Sequence, residues 1–83
     1  MTGEMTTGSL TPEERDALKV LRILALVAGQ HLPLPTLFAE KPSNRTALDL
    51  LKGLNGLVSK GLAAASHDRF TFALTEAGEV YKL

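Results

Sequence analysis

The chain has 83 residues, 45% hydrophobic and only 5% aromatic, so it allows one small domain with a core of leucine, alanine and valine. Without cysteine it forms no disulfide and no Cys-containing zinc site, its two histidines lack metal-ligand spacing, and no cofactor motif is present. The formal net charge of zero argues against an unusually strong nucleic-acid binder. With no secretion signal and no apolar run near the roughly 20 residues that span a bilayer, we expect a cytoplasmic protein without a membrane partner.

The chain begins with a segment that has no hydrophobic periodicity. Residues 1–10 are rich in threonine and glycine and are expected to be disordered, which leaves residues 11–83 as the folded domain. A strong helix start follows. Thr11 is a side-chain cap, Pro12 suits the first helical position, and Glu14 completes a capping box.

The first helix is predicted to run to Ala28 and to stop at Gly29. Apart from a narrow basic stripe of Arg15, Lys19 and Arg22, apolar side chains cover most of its circumference: Val20, Leu21, Ile23, Leu24, Ala25, Val27 and Ala28. A helix that buries one face needs an apolar arc of only about 100–140°. We therefore predict a homodimer seam on this helix, although a central place in the core would widen the arc equally.

The next segment predicts a connector and a short helix. Residues 30–34 are expected to be a connector in which His31 is an exposed polar residue. Pro35 then starts a short helix that ends at Glu40. Its expected core contacts are Leu34, Leu37 and Phe38.

Residues 43–62 predict a longer amphipathic helix, capped by Ser43 or Asn44 and ended by Gly61. At 100° per residue one arc is apolar and contains Ala47, Leu50, Leu51, Leu54, Leu57 and Val58. The opposite, exposed arc contains Arg45, Asp49, Lys52, Gly53, Gly56 and Lys60. A short helix followed by a longer amphipathic one is what a helix-turn-helix requires.

The last segment predicts a hairpin and a closing helix. Strands over 62–66 and 70–74 flank a three-residue loop, which would pair Leu62 with Leu74, Ala64 with Phe72 and Ser66 with Phe70. Thr75 then caps a final helix over 76–83, with Val80 and Tyr81 as apolar anchors.

This order of elements, and the ending GLAAASHDRFTFALTEAGEVY, resemble the winged helix-turn-helix regulators of the MarR, PadR and ArsR kind. The resemblance covers residues 11–83, and the matching residues are Leu54, Leu57, Val58, Gly61, Leu62, Phe72, Leu74, Thr75 and Gly78. It implies an α+β, mostly helical winged-helix fold with three helices, a two-stranded hairpin wing and a short C-terminal helix. It also implies that the 43–62 helix is the recognition helix and that His67, Asp68 and Arg69 form the wing tip.

The function that the resemblance implies is that of a small transcriptional regulator, not an enzyme, that binds double-stranded DNA as a homodimer. Residues 41–69 are the basic part of the chain, with five basic side chains and two acidic ones. The side chains suited to phosphates and base edges are Ser43, Asn44, Arg45, Thr46, Lys52 and Arg69. Because Asp49, Gly53 and Gly56 leave the helix face nearly neutral, a winged-helix domain that binds another protein is the alternative.

Overall fold

A computed structural model of the protein describes residues 10–82 as a small α+β fold, about half helical. Its elements within that range are α1 (Pro12–Leu24), β1 (His31–Pro33), α2 (Leu34–Ala39), α3 (Ala47–Ser59), β2 (Ala63–Ala65), β3 (Thr71–Leu74) and α4 (Glu76–Val80). The three strands form one antiparallel sheet in the order β1–β3–β2. The disorder predicted for residues 1–10 lies outside the described residues except at Leu10, which instead packs, partly buried, against the core.

The start of α1 is as predicted, but its end is not. The Thr11 hydroxyl accepts a hydrogen bond from the Glu14 backbone N–H at 3.1 Å, and the Glu14 carboxylate accepts one from the Thr11 N–H at 3.0 Å. The helix ends at Leu24 because the next residue is extended. The chain then turns towards the sheet, where the N–H of Gly29 (φ +91°) donates to the Leu74 carbonyl at 2.8 Å. The predicted end at Ala28 was wrong, since this sheet contact competes with further helical turns.

The predicted connector contains a strand. His31, Leu32 and Pro33 pair with Ala73, Phe72 and Thr71 of β3, so β3 is the central strand and the sheet has three strands rather than two. A three-residue strand that ends in proline is too short to show alternation in the sequence. As expected, His31 is exposed, Leu37 is buried, and Leu34 and Phe38 pack against the core. α2 begins at Leu34 and ends at Ala39, one residue earlier at each end than predicted.

The N-cap of α3 is Thr46, not Ser43 or Asn44. The Thr46 hydroxyl accepts from the Asp49 N–H at 3.0 Å, and the Asp49 carboxylate accepts from the Thr46 N–H at 3.2 Å. This second capping box satisfies two backbone donors, whereas a lone serine or asparagine cap satisfies one. The end at Gly61 is confirmed, because Gly61 has φ +79° and directly follows the C-cap residue.

The two glycines of α3 face α1 rather than solvent. Gly53 is buried, and a Cβ added there would overlap the Glu13 carbonyl oxygen and lie 2.6 Å from the Glu13 carbonyl carbon. A Cβ added at Gly56 would overlap the Glu14 carboxylate. The prediction that both glycines lie on an exposed arc was therefore wrong. The backbone of α1 approaches Gly53, and the Glu14 side chain of α1 approaches Gly56.

The hairpin is present with a different register. The predicted pairs were wrong by one residue, and the observed pairs are Ala63 with Leu74, Ala64 with Ala73 and Ala65 with Phe72. The loop is one residue longer than predicted, because the Asp68 carboxylate accepts hydrogen bonds from the Ser66 hydroxyl at 2.7 Å and the Phe70 N–H at 3.0 Å. Arg69 then takes a left-handed conformation with φ +60° and closes the turn.

One core joins the helices to the sheet. Its buried side chains include Leu18, Leu21, Leu37, Leu54, Phe72 and Leu74, and Leu24, Leu51 and Val58 pack against them, partly buried. Thr75 caps α4 as predicted, accepting from the Gly78 N–H at 3.0 Å. The helix is shorter than predicted and ends at Val80. Tyr81 packs against the core, but the predicted anchor Val80 is 75% exposed, so that prediction was wrong.

Candidate nucleic-acid interface

One face of α3 points away from the rest of the domain. Leu50, Leu54 and Leu57 are buried on the inner side, together with Gly53. Residues spaced three or four apart along a helix share a face. The outward face is formed in this way by Leu48, Lys52, Asn55 and Ser59, of which only Asn55 is half-buried.

The tip of the hairpin lies beside this outward face. An Nη atom of Arg69 donates a hydrogen bond of 2.9 Å to the side-chain oxygen of Asn55. The Asp68 carboxylate next to it faces the backbone of its own loop, and the hydrogen bonds from Ser66 and Phe70 hold its pKa below the usual range. The hairpin therefore presents a cation next to the middle of α3. We name Leu48, Lys52, Asn55, Ser59 and Arg69 the α3–hairpin surface.

Four of the six residues predicted to contact DNA are available for contact. Lys52 and Arg69 belong to the α3–hairpin surface, and Ser43 and Asn44 are exposed in the turn that leads into α3. Lys52 also lines a pocket of about 250 Å³ together with Thr11, Glu13 and Glu14 of the start of α1. The sequence did not single out Asn55, Leu48 or Ser59. The signal for them is their spacing of three or four residues around Lys52.

The remaining two predicted residues are engaged within the domain. Nε of Arg45 lies 2.7 Å from the Asp16 carboxylate of α1, and an Nη atom lies 3.9 Å from the Glu13 carboxylate. The Thr46 hydroxyl is the cap of α3, and hydrogen bonds from Thr46, with the backbone N–H contributing most, hold the pKa of Asp49 below its ordinary value. Arg45 and Thr46 therefore position the start of α3.

A second ion pair joins the other end of α3 to α1. Nζ of Lys60, the C-cap residue, lies 2.5 Å from Oε1 of Glu14. Burial acts to raise the pKa of the Glu14 carboxyl, but the hydrogen bonds from Lys60 and Thr11 and the charge of Lys60 outweigh it and hold the pKa below its ordinary value. Glu14 is thus ionised at neutral pH, and α3 is tied to α1 at both ends.

Glu14→Gln is expected to destabilise the fold in a pH-dependent way. The amide oxygen of glutamine still accepts from Thr11, so the substitution removes mainly the charge opposite Lys60, which is worth about 1 kcal/mol for a partly buried pair. Because the folded-state pKa of Glu14 is lowered, its contribution is present above the unfolded-state pKa and is lost as the pH falls through the folded-state value.

Urea unfolding of both proteins at about pH 7 and about pH 3 measures this difference in the free energy of unfolding. The gap between the wild type and Glu14→Gln should shrink at the lower pH, while the exposed Glu40→Gln should show little gap at either. An equal gap for Glu14→Gln at both pH values would contradict the charged pair.

Within residues 10–82, no three His, Asp or Glu side chains cluster in a way that would hold a metal ion. No helix within this range has the length and apolarity needed to cross a bilayer. Comparisons of the chain with protein families, curated proteins and solved structures found no match.

Proposed function

We propose that the chain is a winged-helix DNA-binding domain that acts as a small transcriptional regulator, with α3 in the major groove and the β2–β3 hairpin as its wing. The observation that carries the proposal is the 2.9 Å hydrogen bond from Arg69 to Asn55. It joins the cation at the hairpin tip to a side-chain amide in the middle of the outward face of α3. A recognition helix needs both kinds of group, since base edges require hydrogen-bonding side chains and phosphates require cations.

Four of the five residues of the α3–hairpin surface have a role in this proposal that suits their chemistry. Asn55 has the amide that pairs with the major-groove edge of adenine, and the exposed Leu48 suits the methyl group of thymine. Lys52 and Arg69 face phosphates. Ser43 and Asn44, just before the helix, are placed to contact a flanking phosphate. Arg45, with its Asp16 partner, orients the helix and makes no base contact.

The salt dependence of binding to duplex DNA tests this proposal. Lys52→Ala and Arg69→Ala should each weaken binding to all sequences alike, and each should lower the salt slope by about one unit. Asn55→Ala should leave the slope unchanged and cost about 1–3 kcal/mol of sequence discrimination. Lys19→Ala, which removes a charge from an exposed position of α1, is the charge-matched control and should change neither.

If wild-type affinity does not fall as salt rises, or if Lys19→Ala weakens binding as much as Lys52→Ala does, the α3–hairpin surface is not the DNA site. Binding should be measured by fluorescence anisotropy on a random duplex and on a sequence selected from a random pool. The first substrate reports the phosphate contacts, and the comparison of the two reports base readout.

A protein-interaction domain without DNA binding is the second candidate, and a specific observation favours it. Leu48 is 66% exposed on the outward face of α3, next to a surface with few free charges because acids of α1 pair with Arg45 and Lys60. Exposed apolar side chains rimmed by polar ones are typical of protein contacts. The protein-interaction candidate predicts little binding to duplex DNA even at low salt, whereas the DNA-binding candidate predicts its tightest binding at low salt.

A further inference from the structure

Arg45 lies close to the point at which the proposed function places a DNA phosphate, but its charge is directed at α1. It follows Asn44, the residue assigned to a flanking phosphate, and directly precedes the N-cap of α3. Its Nε donates to a carboxylate oxygen of Asp16 at 2.7 Å, and an Nη atom lies 3.9 Å from the Glu13 carboxylate. The Arg45 side chain is only 22% exposed. In the free domain, acids of α1 therefore occupy this guanidinium.

A carboxylate offers an arginine nearly the same contacts as a phosphate does. Both groups are anionic, and both accept charge-assisted hydrogen bonds from the N–H donors of the guanidinium. A cation that binds DNA contributes to affinity by neutralising a phosphate and releasing the counterion held there. An arginine whose charge is already neutralised by acids of its own domain contributes little in this way.

The close contact between α1 and α3 brings the acids within reach of Arg45. A Cβ added at Gly53 would lie 2.6 Å from the Glu13 carbonyl carbon, so only a glycine allows the two helices to approach this closely. Asp16 follows Glu13 by three residues and shares its side of α1. The acids in the first turn of α1 are Glu13 and Glu14, and Asp16 lies beyond that turn. The contact with Arg45, rather than the helix start, therefore accounts for Asp16.

The cations around α3 divide into two groups. Arg45 and Lys60, at the two ends of the helix, both pair with carboxylates of α1, and Nζ of Lys60 lies 2.5 Å from its partner. In the part of the chain that the structure describes, Lys52 and Arg69 form no ion pair. These last two belong to the α3–hairpin surface. The acids of α1 thus neutralise the cations at the ends of α3 and leave those of the surface charged.

Building on the DNA-binding function proposed above, we propose that Asp16, with Glu13, takes the place of a DNA phosphate at Arg45 and so limits the phosphate contacts that α3 makes. Phosphate contacts stabilise complexes with every sequence alike, whereas base contacts distinguish sequences. Neutralising Arg45 lowers the affinity for random DNA and leaves base readout by Asn55 unchanged. Asp16 thereby sets how tightly the domain holds non-specific DNA.

The salt dependence of duplex binding by Asp16→Ala tests the proposal. Removal of the acceptor frees Arg45, so affinity for a random duplex should rise at low salt and the salt slope should steepen by about one unit. An about fourfold rise in salt would then weaken the variant about 3.5-fold more than the wild type. Glu79→Ala, which removes an exposed acid of α4, is the control for net charge and should not steepen the slope.

The double variant Asp16→Ala/Arg45→Ala separates the release of Arg45 from the loss of a negative charge. It has the net charge of the wild type and lacks both partners, so its salt slope should return to the wild-type value. A slope that stays steep in the double variant, or that Glu79→Ala steepens equally, overturns the proposal. Circular dichroism checks the fold of each variant. Asp16→Asn, which removes the charge and keeps an oxygen acceptor, is the milder second variant, and an unchanged slope for both Asp16 variants also overturns the proposal.

Elution from immobilised heparin, a sulfated polyanion without bases, makes the test independent of DNA. Asp16→Ala should elute at higher salt than the wild type and Glu79→Ala, and the double variant should elute with the wild type. Equal elution of all these proteins overturns the proposal for Arg45, whether or not duplex DNA binds. Later elution of Asp16→Ala alone, without duplex binding at any salt, would overturn the DNA-binding function and retain the neutralisation of Arg45 by α1.

Discussion

Gly53→Ala is expected to destabilise the protein by about 3 kcal/mol, although the same change at an exposed helical position stabilises by about 1 kcal/mol. The added methyl group would overlap the Glu13 carbonyl oxygen and lie 3.1 Å from Cβ of Ala17. The obstacle is helix backbone, which has no alternative rotamer. α1 and α3 would have to move apart, and this would loosen the packing of the leucines next to the contact.

Urea unfolding of Gly53→Ala measures the change in the free energy of unfolding. Gly56→Ala is the comparison variant, since its added methyl group meets a side chain rather than backbone. At Gly56 the added methyl group meets the Glu14 side chain, which moves at the cost of its contact with Lys60, so a smaller loss is expected. Ser59→Ala, at an exposed position of the same helix, should change the free energy of unfolding by less than about 0.5 kcal/mol. Stabilisation by Gly53→Ala would mean that α3 does not pack closely on α1.

Leu54→Ala is expected to reduce the free energy of unfolding by about 2–5 kcal/mol. Leu54 has no exposed surface and lies at the centre of the inner face of α3, so truncating its side chain leaves a cavity in the core. Leu48→Ala is the matched control, because it makes the same change in the same helix at a side chain that is 66% exposed. That control should alter stability by less than about 0.5 kcal/mol.

Thermal or urea unfolding of the Leu54→Ala and Leu48→Ala pair therefore reports which face of α3 is buried. Similar losses for both variants would show that the leucine assigned to the outward face is packed as well. A larger loss for Leu48→Ala would reverse the two faces, and the α3–hairpin surface would then be part of the core. Only the predicted order of the two losses leaves Lys52 and Asn55 on the outward side.

The positions of the helices could be predicted from the sequence because local signals determine them. The capping box of Thr11 and Glu14 satisfies the backbone donors of α1 within one turn, and Gly61 ends α3 through its own left-handed conformation. Contacts between parts of the chain that are distant in sequence have no such signal in the local sequence. β1 exists because β3 offers a free edge, and α1 ends early because Gly29 donates to that strand.

The rotation of α3 about its own axis is the prediction from the sequence whose failure changes the candidate site most. Apolar periodicity centres the predicted buried arc on the apolar side chains of α3, but the close contact with α1 adds Gly53 to the buried face and rotates its centre by roughly 50°. A glycine has no hydrophobic side chain to count, so periodicity assigned it to solvent. The rotation turns Arg45 and Lys60 towards the acids of α1 and brings Asn55 and Leu48 outward.

The proposed site follows from this rotation. Of the cations predicted to face DNA, Lys52 and Arg69 remain, and Arg69 gains Asn55 as a neighbour through the hairpin. Arg45, the third of these cations, instead fixes the start of the helix against α1, and Lys60, which was not predicted to contact DNA, fixes its end. A recognition helix that is held at both ends loses little conformational freedom when it binds, which favours specific over diffuse contacts.

Amide chemical-shift mapping by NMR, with a short random duplex added to the isotope-labelled full chain at low salt, tests the central claim most directly. The DNA proposal predicts shifts that concentrate at Asn44, Lys52, Asn55 and Arg69 and that disappear as salt is raised. Absence of shifts at these residues, or shifts confined to the last turn of α1 and to α4, would contradict a DNA-binding surface formed by α3 and the hairpin.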